Sequence, residues 1–297
     1  MTIVLGLAAA VLLGLGFVLQ QHAARQAPPD DALSLRLFAD LIGKPVWLAG
    51  IAAMVSGQVL GALALSGQGG HVSLVEPLLT TNLLFALGLA RSLSNEQLRW
   101  REWAGAVVLI AGITVFLVAA QPSTGSGVSG AMSESLRTGI FVAIIALIVG
   151  VMVSLGRRAT GAARAGLLAA GAGLLFGLQD GFTRAAMLVL GDGPLKLLES
   201  WLPYGVVAVA VTGLLLAQSA FEVAPLRASL PAITAAEPVV GIAYGISVFG
   251  ERVRTAPVWL ALEAAGLIAM VAGIVVLTRS PMLAPQQQPP PRQYARV

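Results

Sequence analysis

The sequence has no cysteine and only two histidines, His22 and His71, among its 297 residues. The lack of cysteine excludes disulfide bonds and thiol chemistry, and two histidines leave little for a histidine-based metal or acid–base site. No Gly-rich loop ending in Lys-Ser or Lys-Thr is present, so the chain has no Walker-type site for ATP. We therefore expect no catalytic residues and no cofactor, and we expect that the chain is not an enzyme.

Charged residues are also scarce. They make up 11% of the chain, whereas hydrophobic residues make up 57%, and the mean hydropathy is +0.86. A soluble domain of this length needs far more polar surface, so the composition indicates a polytopic membrane protein in contact with the lipid bilayer. The formal net charge of +4 comes from basic residues in short loops. Such loops report membrane topology, and we expect no nucleic-acid partner.

Nine stretches have the length and apolarity of a membrane-spanning helix, which needs about 20 residues. They lie near residues 2–21, 46–65, 72–90, 103–120, 138–155, 165–190, 202–221, 228–249 and 257–278. Prolines, glycines and charges punctuate the joints between them. The sequence therefore predicts an all-α integral membrane protein with nine transmembrane helices.

Lysine and arginine are unevenly divided between the two sides of these spans. One side holds thirteen of them: Arg25, Arg36, Lys44, Arg91, Arg99, Arg101, Arg157, Arg158, Arg164, Arg227, Arg279, Arg292 and Arg296. The opposite side holds four: Arg137, Lys196, Arg252 and Arg254. Because positively charged loops remain in the cytoplasm, we expect a multi-pass protein of the plasma (inner) membrane with its N-terminus outside and its C-terminus cytoplasmic.

An internal repeat links the first and sixth spans. Residues 14–25, GLGFVLQQHAAR, recur 159 positions later as residues 173–184, GLLFGLQDGFTR. The gapless identities include a polar residue, since Gln20 matches Gln179. In membrane proteins such repeats are typical of transporters built from two related halves.

A second echo links the fourth and ninth spans. Residues 104–115, AGAVVLIAGITV, resemble residues 265–276, AGLIAMVAGIVV. Each half then has four spans, and the fifth span between them inserts the second half upside down. The sequence predicts two inverted-topology four-helix repeats joined by a bridging helix. The expected parts are a first repeat, a linker with the bridging helix, a second repeat and a disordered cytoplasmic tail, at residues 1–120, 121–163, 164–279 and 280–297 respectively.

The segment 218–253, QSAFEVAPLRASLPAITAAEPVVGIAYGISVFGERV, resembles the EamA-type half of the drug/metabolite transporter (DMT) superfamily. In that family a proline in the penultimate helix precedes a small-residue run that ends in Gly-Glu-Arg. The matching positions here are Pro238, Gly250, Glu251 and Arg252. The resemblance implies a membrane transporter.

Two further motifs narrow the resemblance. SLVEP at 73–77 and NEQL at 95–98 make the nine-span pattern similar to the NIPA-type magnesium transporters and their bacterial relatives. Members of the superfamily typically have ten spans, and this chain lacks the second helix of the first half. The resemblance covers all nine spans, while substrates vary widely within the superfamily.

Ionisable residues inside a membrane need a partner, a cavity or a function. Glu237 lies deepest, about halfway along the eighth span, and the following Pro238 frees a backbone carbonyl beside it. Glu76 and Pro77 repeat this chemistry in the third span. We expect Glu237 to face a central cavity as the main ion- or proton-responsive group, the alternative being a protonated carboxyl bonded to a neighbouring helix.

Other polar residues complete the candidate site. The sixth span carries an acid and a base one helical turn apart, which either neutralise each other or contact substrate. Four glutamines serve either as polar contacts between helices or as substrate ligands. The candidate substrate- or ion-binding residues are Glu237, Asp180, Arg184, Gln179, Gln20, Glu76, Gln58 and Gln218.

The sequence as a whole favours a secondary, ATP-independent transporter of a small solute that works by alternating access. A metabolite, a drug-like compound and Mg²⁺ all stay open as substrates, and the sequence does not decide whether a metal is bound. The alternatives are an intramembrane lipid-modifying enzyme and a non-transporting structural membrane protein. Formation of a homodimer is left open.

Overall fold

A computed structural model describes residues 2–26, 33, 35–66, 75, 78–93, 99–121 and 133–278. Helices make up 90% of these described residues, and no strand occurs among them. The helices are α1 Thr2–Ala24, α2 Leu35–Ile42, α3 Pro45–Ser66, α4 Asn82–Leu93, α5 Trp100–Ala120, α6 Glu134–Arg158, α7 Gly161–Leu190, α8 Pro194–Glu199, α9 Leu202–Val223, α10 Leu226–Tyr244 and α11 Pro257–Thr278. A π-helical turn, Gly245–Phe249, continues α10.

Eight of the described helices are long and apolar enough to cross a membrane: α1, α3, α5, α6, α7, α9, α10 with its π-helical turn, and α11. The chain is therefore an all-helical, multi-pass membrane protein. The third predicted span, 72–90, corresponds to a shorter apolar helix, Leu78–Ser92. The count of nine spans and the division into repeats stay predictions. The tail predicted to be disordered, 280–297, lies outside the described residues.

Helix α1 packs against α3 and α4 through small residues. A Cβ atom on Gly16 would lie 2.9 Å from the carbonyl oxygen of Gly50 in α3, and one on Gly57 would lie 3.1 Å from that of Ala9. These contacts make α1 and α3 antiparallel. On the α4 side, a Cβ atom on Gly14 would lie 2.8 Å from the carbonyl oxygen of Asn82. Close approach of this kind is how membrane helices gain dispersion energy, since lipid removes the hydrophobic drive between them.

Helix α7 has an equivalent set of neighbours. A Cβ atom on Gly173 would lie 2.6 Å from the carbonyl oxygen of Ile233 in α10, and one on Gly177 would lie 3.1 Å from the nitrogen of Gly241. These contacts advance together along both chains, so α7 and α10 are parallel. Gly213 in α9 packs on Leu175 at 3.3 Å by the same measure, and α9 runs antiparallel to α7.

Helices α5 and α11 cross with their backbones in contact. A Cβ atom on Gly112 would lie 2.7 Å from the nitrogen of Met270 and 2.8 Å from the carbonyl oxygen of Gly266. A Cβ atom on Gly273 would lie 2.8 Å from the carbonyl oxygen of Gly105. The two helices are therefore antiparallel. Even a methyl group has no space at this crossing.

The C-terminal ends of α1 and α9 meet at one end of the helix bundle. The rings of Phe17 and Phe221 are in edge-to-face contact with centroids 6.2 Å apart, and the amide of Gln21 reaches the carbonyl oxygen of Ala224 at 3.1 Å. Because α7 runs antiparallel to α9, α1 and α7 run in opposite directions. We call this end, which also carries α2, the α2 end, and the opposite end, which carries α8, the α8 end.

The α5–α11 crossing predicts a sharp difference between glycines. Gly112→Ala places a methyl group against fixed backbone atoms, so we expect a loss of about 1–3 kcal/mol in stability, visible as a lower thermal midpoint of the purified protein in detergent. Gly150→Ala in α6 is the matched control, because nothing lies within 4 Å of its Cβ position. Equal midpoints for the two variants would contradict the crossing.

Candidate functional site

Two glutamines that the sequence analysis selects separately are bonded to each other at the α2 end. The Gln218 amide donates a hydrogen bond to the carbonyl oxygen of Gln20, and the Gln20 amide donates to the sulfur of Met54. Gln218 is 0% exposed and Gln20 is 1% exposed. This pair links α1 directly to α9, although the two helices are far apart in the sequence. Each side-chain amide can both donate and accept hydrogen bonds.

Some buried polar atoms of the described residues at the α2 end have no hydrogen-bond partner. The carbonyl oxygens of the Gln21 and Gln218 side chains are buried, and neither has a hydrogen-bond partner among the described residues. The same holds for the hydroxyl of Ser229 near the start of α10. A buried polar atom without a partner costs about 1–3 kcal/mol and calls for an explanation. These atoms are candidates for hydrogen bonds to a ligand.

Helix α2 covers the α2 end. The backbone amide of Leu33 donates to the hydroxyl of Ser219 in α9 at 3.0 Å, and the ammonium group of Lys44 donates to the carbonyl oxygen of Ala23 in α1 at 3.0 Å. A cation suits the C-terminal end of a helix, where backbone carbonyls lack partners. Leu37 and Leu41 of this helix are fully buried. The α2 segment therefore holds the ends of α1 and α9 together.

An ion pair occupies the α8 end. Arg184 in α7 pairs with Glu251, and its guanidinium carbon lies 4.9 Å from the ring centroid of Phe249. Glu251 follows Gly250, whose φ of 67° suits glycine because it has no Cβ atom. The turn directs the Glu251 carboxylate into the space above Gly245. The acid of the Gly-Glu-Arg motif thus fastens the end of α10 to α7.

The sequence analysis did not identify Glu251 as the partner of Arg184. The one-turn spacing of Asp180 and Arg184 directs attention to a pair within α7, and the structure adds a bond from Arg184 to Glu251 across helices. Asp180 lies on an exposed part of α7 and makes a polar interaction of its own. The signal that pointed to Glu251 was its place in the Gly-Glu-Arg turn.

Glu237 and Gln179 lie on two helices in close contact. Glu237 is half-buried within α10, engages in a polar interaction and precedes Pro238 inside the helix. The backbone carbonyl of Glu237 packs on Gly177 of α7, two residues before the half-buried Gln179. The α7–α10 contact therefore brings these two candidate residues to neighbouring levels of the bundle.

The remaining candidates are placed apart from this contact. Gln20 lies four residues before the end of α1, about 6 Å along the helix axis, and therefore near one end of the helix and not halfway along it. Gln58 is exposed on α3. Glu76 lies outside the described residues. No group of three or more His, Cys, Asp or Glu side chains that could hold a metal gathers within the described ranges.

Comparison with known proteins finds one relative of matching length. The chain is 28% identical over 283 residues to an uncharacterized protein of Corynebacterium glutamicum, and the match covers 94% of this chain and 95% of that protein. No protein-family profile and no solved structure matches the chain. The similarity extends across both of the proposed halves and the bridging helix α6, so the relative is similar over the whole predicted arrangement.

Proposed function

We propose that this protein is a secondary transporter of a small solute, built from two inverted four-helix repeats on either side of α6. In such a transporter, two related halves rearrange about a site between them and expose it to one side of the membrane at a time. The absence of a Walker-type loop means that the energy comes from a solute or ion gradient.

The α5–α11 crossing is the observation that supports this proposal most. When each residue of the crossing is replaced by its repeat equivalent on the other helix, the same contacts result. The repeat makes Gly105 equivalent to Gly266, and Gly112 equivalent to Gly273, at one spacing of 161 residues. Gly112 packs on Gly266. The equivalent contact, Gly273 on Gly105, is present as well. An interface that maps onto itself is expected where two copies are related by a twofold rotation.

The flanking contacts follow the same rule. At the same spacing, Leu109 is equivalent to Met270 and Phe116 to Leu277. Met270 packs on Gly112 of α5, and Leu109 packs on Gly273 of α11. Likewise, Leu277 packs on the first glycine of α5, and Phe116 packs on the first glycine of α11. Because α5 and α11 are antiparallel, such a twofold axis lies across the helices, in the plane of the membrane.

The arrangement around α1 and α7 supports the same proposal. Each of these helices has an antiparallel neighbour, α3 or α9, and a parallel neighbour, α4 or α10. The two repeat-related helices themselves run in opposite directions. The resemblance of residues 218–253 to the EamA-type half of the DMT superfamily adds the expectation of transport activity. A metabolite, a drug-like compound and Mg²⁺ are the substrate classes to test.

Glu237 is the group to which we assign ion or proton coupling. Glu237→Gln keeps the size of the side chain and removes its charge, so uptake driven by a gradient into proteoliposomes should be abolished while the protein still folds. Wild-type uptake should change with pH, because a carboxyl in the bilayer interior gains and loses a proton as access alternates. The measurement is uptake of a panel of labelled solutes across a pH series.

Glu134→Gln is the control, because Glu134 is an exposed acid at the start of α6, and its uptake should match the wild type. Normal, pH-dependent uptake by the Glu237→Gln protein would sink the assignment. If the wild-type protein moves no solute of the panel under any gradient, a lipid-modifying or structural role replaces transport.

The proposed orientation is tested at the two ends of α6. Ser135→Cys and Thr160→Cys introduce single thiols at exposed positions into a chain that has none. Counting of basic loops predicts that the thiol at 135 reacts with an impermeant maleimide added outside intact cells. The thiol at 160 should react only after permeabilisation. The reverse pattern would invert the proposed topology.

A further inference from the structure

We propose that the structure is the conformer closed at the α2 end, and that Gln58 and Gln179 form the matching closure at the α8 end in the opposite conformer. This inference rests on the proposed function, and it adds the residues that gate access. If the two halves are related by inversion, every contact between them at one end has an equivalent at the other. The two ends can then be compared contact by contact.

The repeat pairs the four glutamines. Gln20 and Gln179 are 159 residues apart, and Gln58 and Gln218 are 160 residues apart. The packing of the helices supports the second equivalence. In the first half, Gly16 of α1 packs on Met54, four residues before Gln58. In the second half, the equivalent of Gly16 is Leu175, and it packs on Gly213 of α9, five residues before Gln218. The bonded pair Gln20–Gln218 therefore has Gln179–Gln58 as its equivalent.

The equivalent pairs are in different states. Gln20 and Gln218 are bonded and almost fully buried. Gln58 is exposed and Gln179 is half-buried, and neither makes a hydrogen bond with any residue that the structure describes. The contact that joins α1 to α9 at the α2 end is thus open between α3 and α7.

The aromatic contact shows the same difference. Phe17 meets Phe221 across the two halves at the α2 end. The equivalent of Phe17 is Phe176, and it packs on Gly213 inside its own half. The equivalent of Phe221 is Gly61, whose neighbour is Leu79 of the first half. No bulky pair fills the corresponding position among these described residues.

The two short helices complete the comparison. Helix α8 begins at Pro194, which is 159 residues after Leu35, the first residue of α2. Helix α2 is docked, because two of its leucines are fully buried and the residues on either side of it, Leu33 and Lys44, form hydrogen bonds to α9 and α1. Helix α8 exposes Leu195 by 74% and Leu198 by 60%. These leucines are the apolar surface that α8 would bury if it docked at its own end.

A polar contact between described residues also joins the halves at the α8 end, but it lies beside the α5–α11 crossing. Arg254 bonds to Gln121, the residue that follows α5, and stacks on Trp259 at the start of α11. This contact extends the α5–α11 crossing and leaves α3 and α7 apart. A rotation about that crossing would separate Gln20 from Gln218 and bring Gln179 to Gln58. With the orientation proposed above, the closed end is cytoplasmic.

The test measures both ends at once by double electron–electron resonance in lipid nanodiscs. One sample carries spin labels at His22 and Ala163, exposed positions on opposite halves at the α2 end, and the other at Ile3 and Asp192 at the α8 end. We expect two distance populations in each sample, with the short population of one matching the long population of the other. Gln218→Ala should change their ratio by about three-fold towards opening of the α2 end.

Gln58→Ala should change the ratio in the other direction, and because Gln58 is exposed this substitution leaves the folded core intact. Thr212→Ala is the control on α9, since its hydroxyl bonds only within its own helix to the carbonyl of Ala208 at 2.8 Å, and it should leave both distributions unchanged. A single population at both ends, or equal shifts from the two glutamine variants, overturns the inference. Reciprocal shifts without uptake of any solute would support the gate and reject the transport proposal.

Discussion

The backbone contact between α5 and α11 is the constraint on which the rest of the structure depends. In a bilayer, apolar side chains gain nothing by leaving lipid for protein, so helices associate through close van der Waals contact. At Gly112, Gly266 and Gly273 a backbone atom of the facing helix lies within 2.8 Å of the position that a Cβ atom would take, and at Gly105 the Val276 side chain lies at 2.9 Å. Each helix belongs to a different proposed half. This crossing is therefore a direct backbone contact between the two proposed halves, and their other helices pack around it.

Contacts between the halves at the α2 end differ from this crossing in strength and kind. Hydrogen bonds between side chains inside membranes contribute only about 0.6 kcal/mol on average, and the Gln20–Gln218 bond is one of few such links. An edge-to-face aromatic pair adds about 0.5–1.5 kcal/mol. Contacts of this size can break and re-form without unfolding, and we propose that the glycine crossing stays in contact when they do. The division of labour between a tight pivot and weak ends is what alternating access requires.

Sequence patterns predicted the long helices well, because a spanning helix is a local consequence of about 20 apolar residues. Eight of the nine predicted stretches are long apolar helices, and the third is shorter. The repeat also identified the glycines of α5 and α11 by their equal spacing. What the sequence did not predict is which residues meet across helices. Gln20 and Gln218 were both selected, but their bond depends on how α1 and α9 pack.

The partner of Arg184 shows the same limit. A spacing of four residues is visible in any sequence and directed attention to Asp180, which makes a polar interaction of its own. The bond of Arg184 to Glu251 depends on a glycine-directed turn at the end of α10. The sequence analysis likewise did not predict the docking of α2, because this amphipathic helix is too short to be recognised as a membrane span. Contacts between residues that are far apart in the sequence can be identified only from the three-dimensional structure.

The most direct test of the central claim is a cryo-electron microscopy map of the protein in lipid nanodiscs, with residues 1–120 superposed on residues 164–279. The account predicts a rotation of about half a turn around an axis in the membrane plane, with α1 placed on α7 and α5 on α11. A rotation axis along the membrane normal, or two halves that do not superpose, would contradict it.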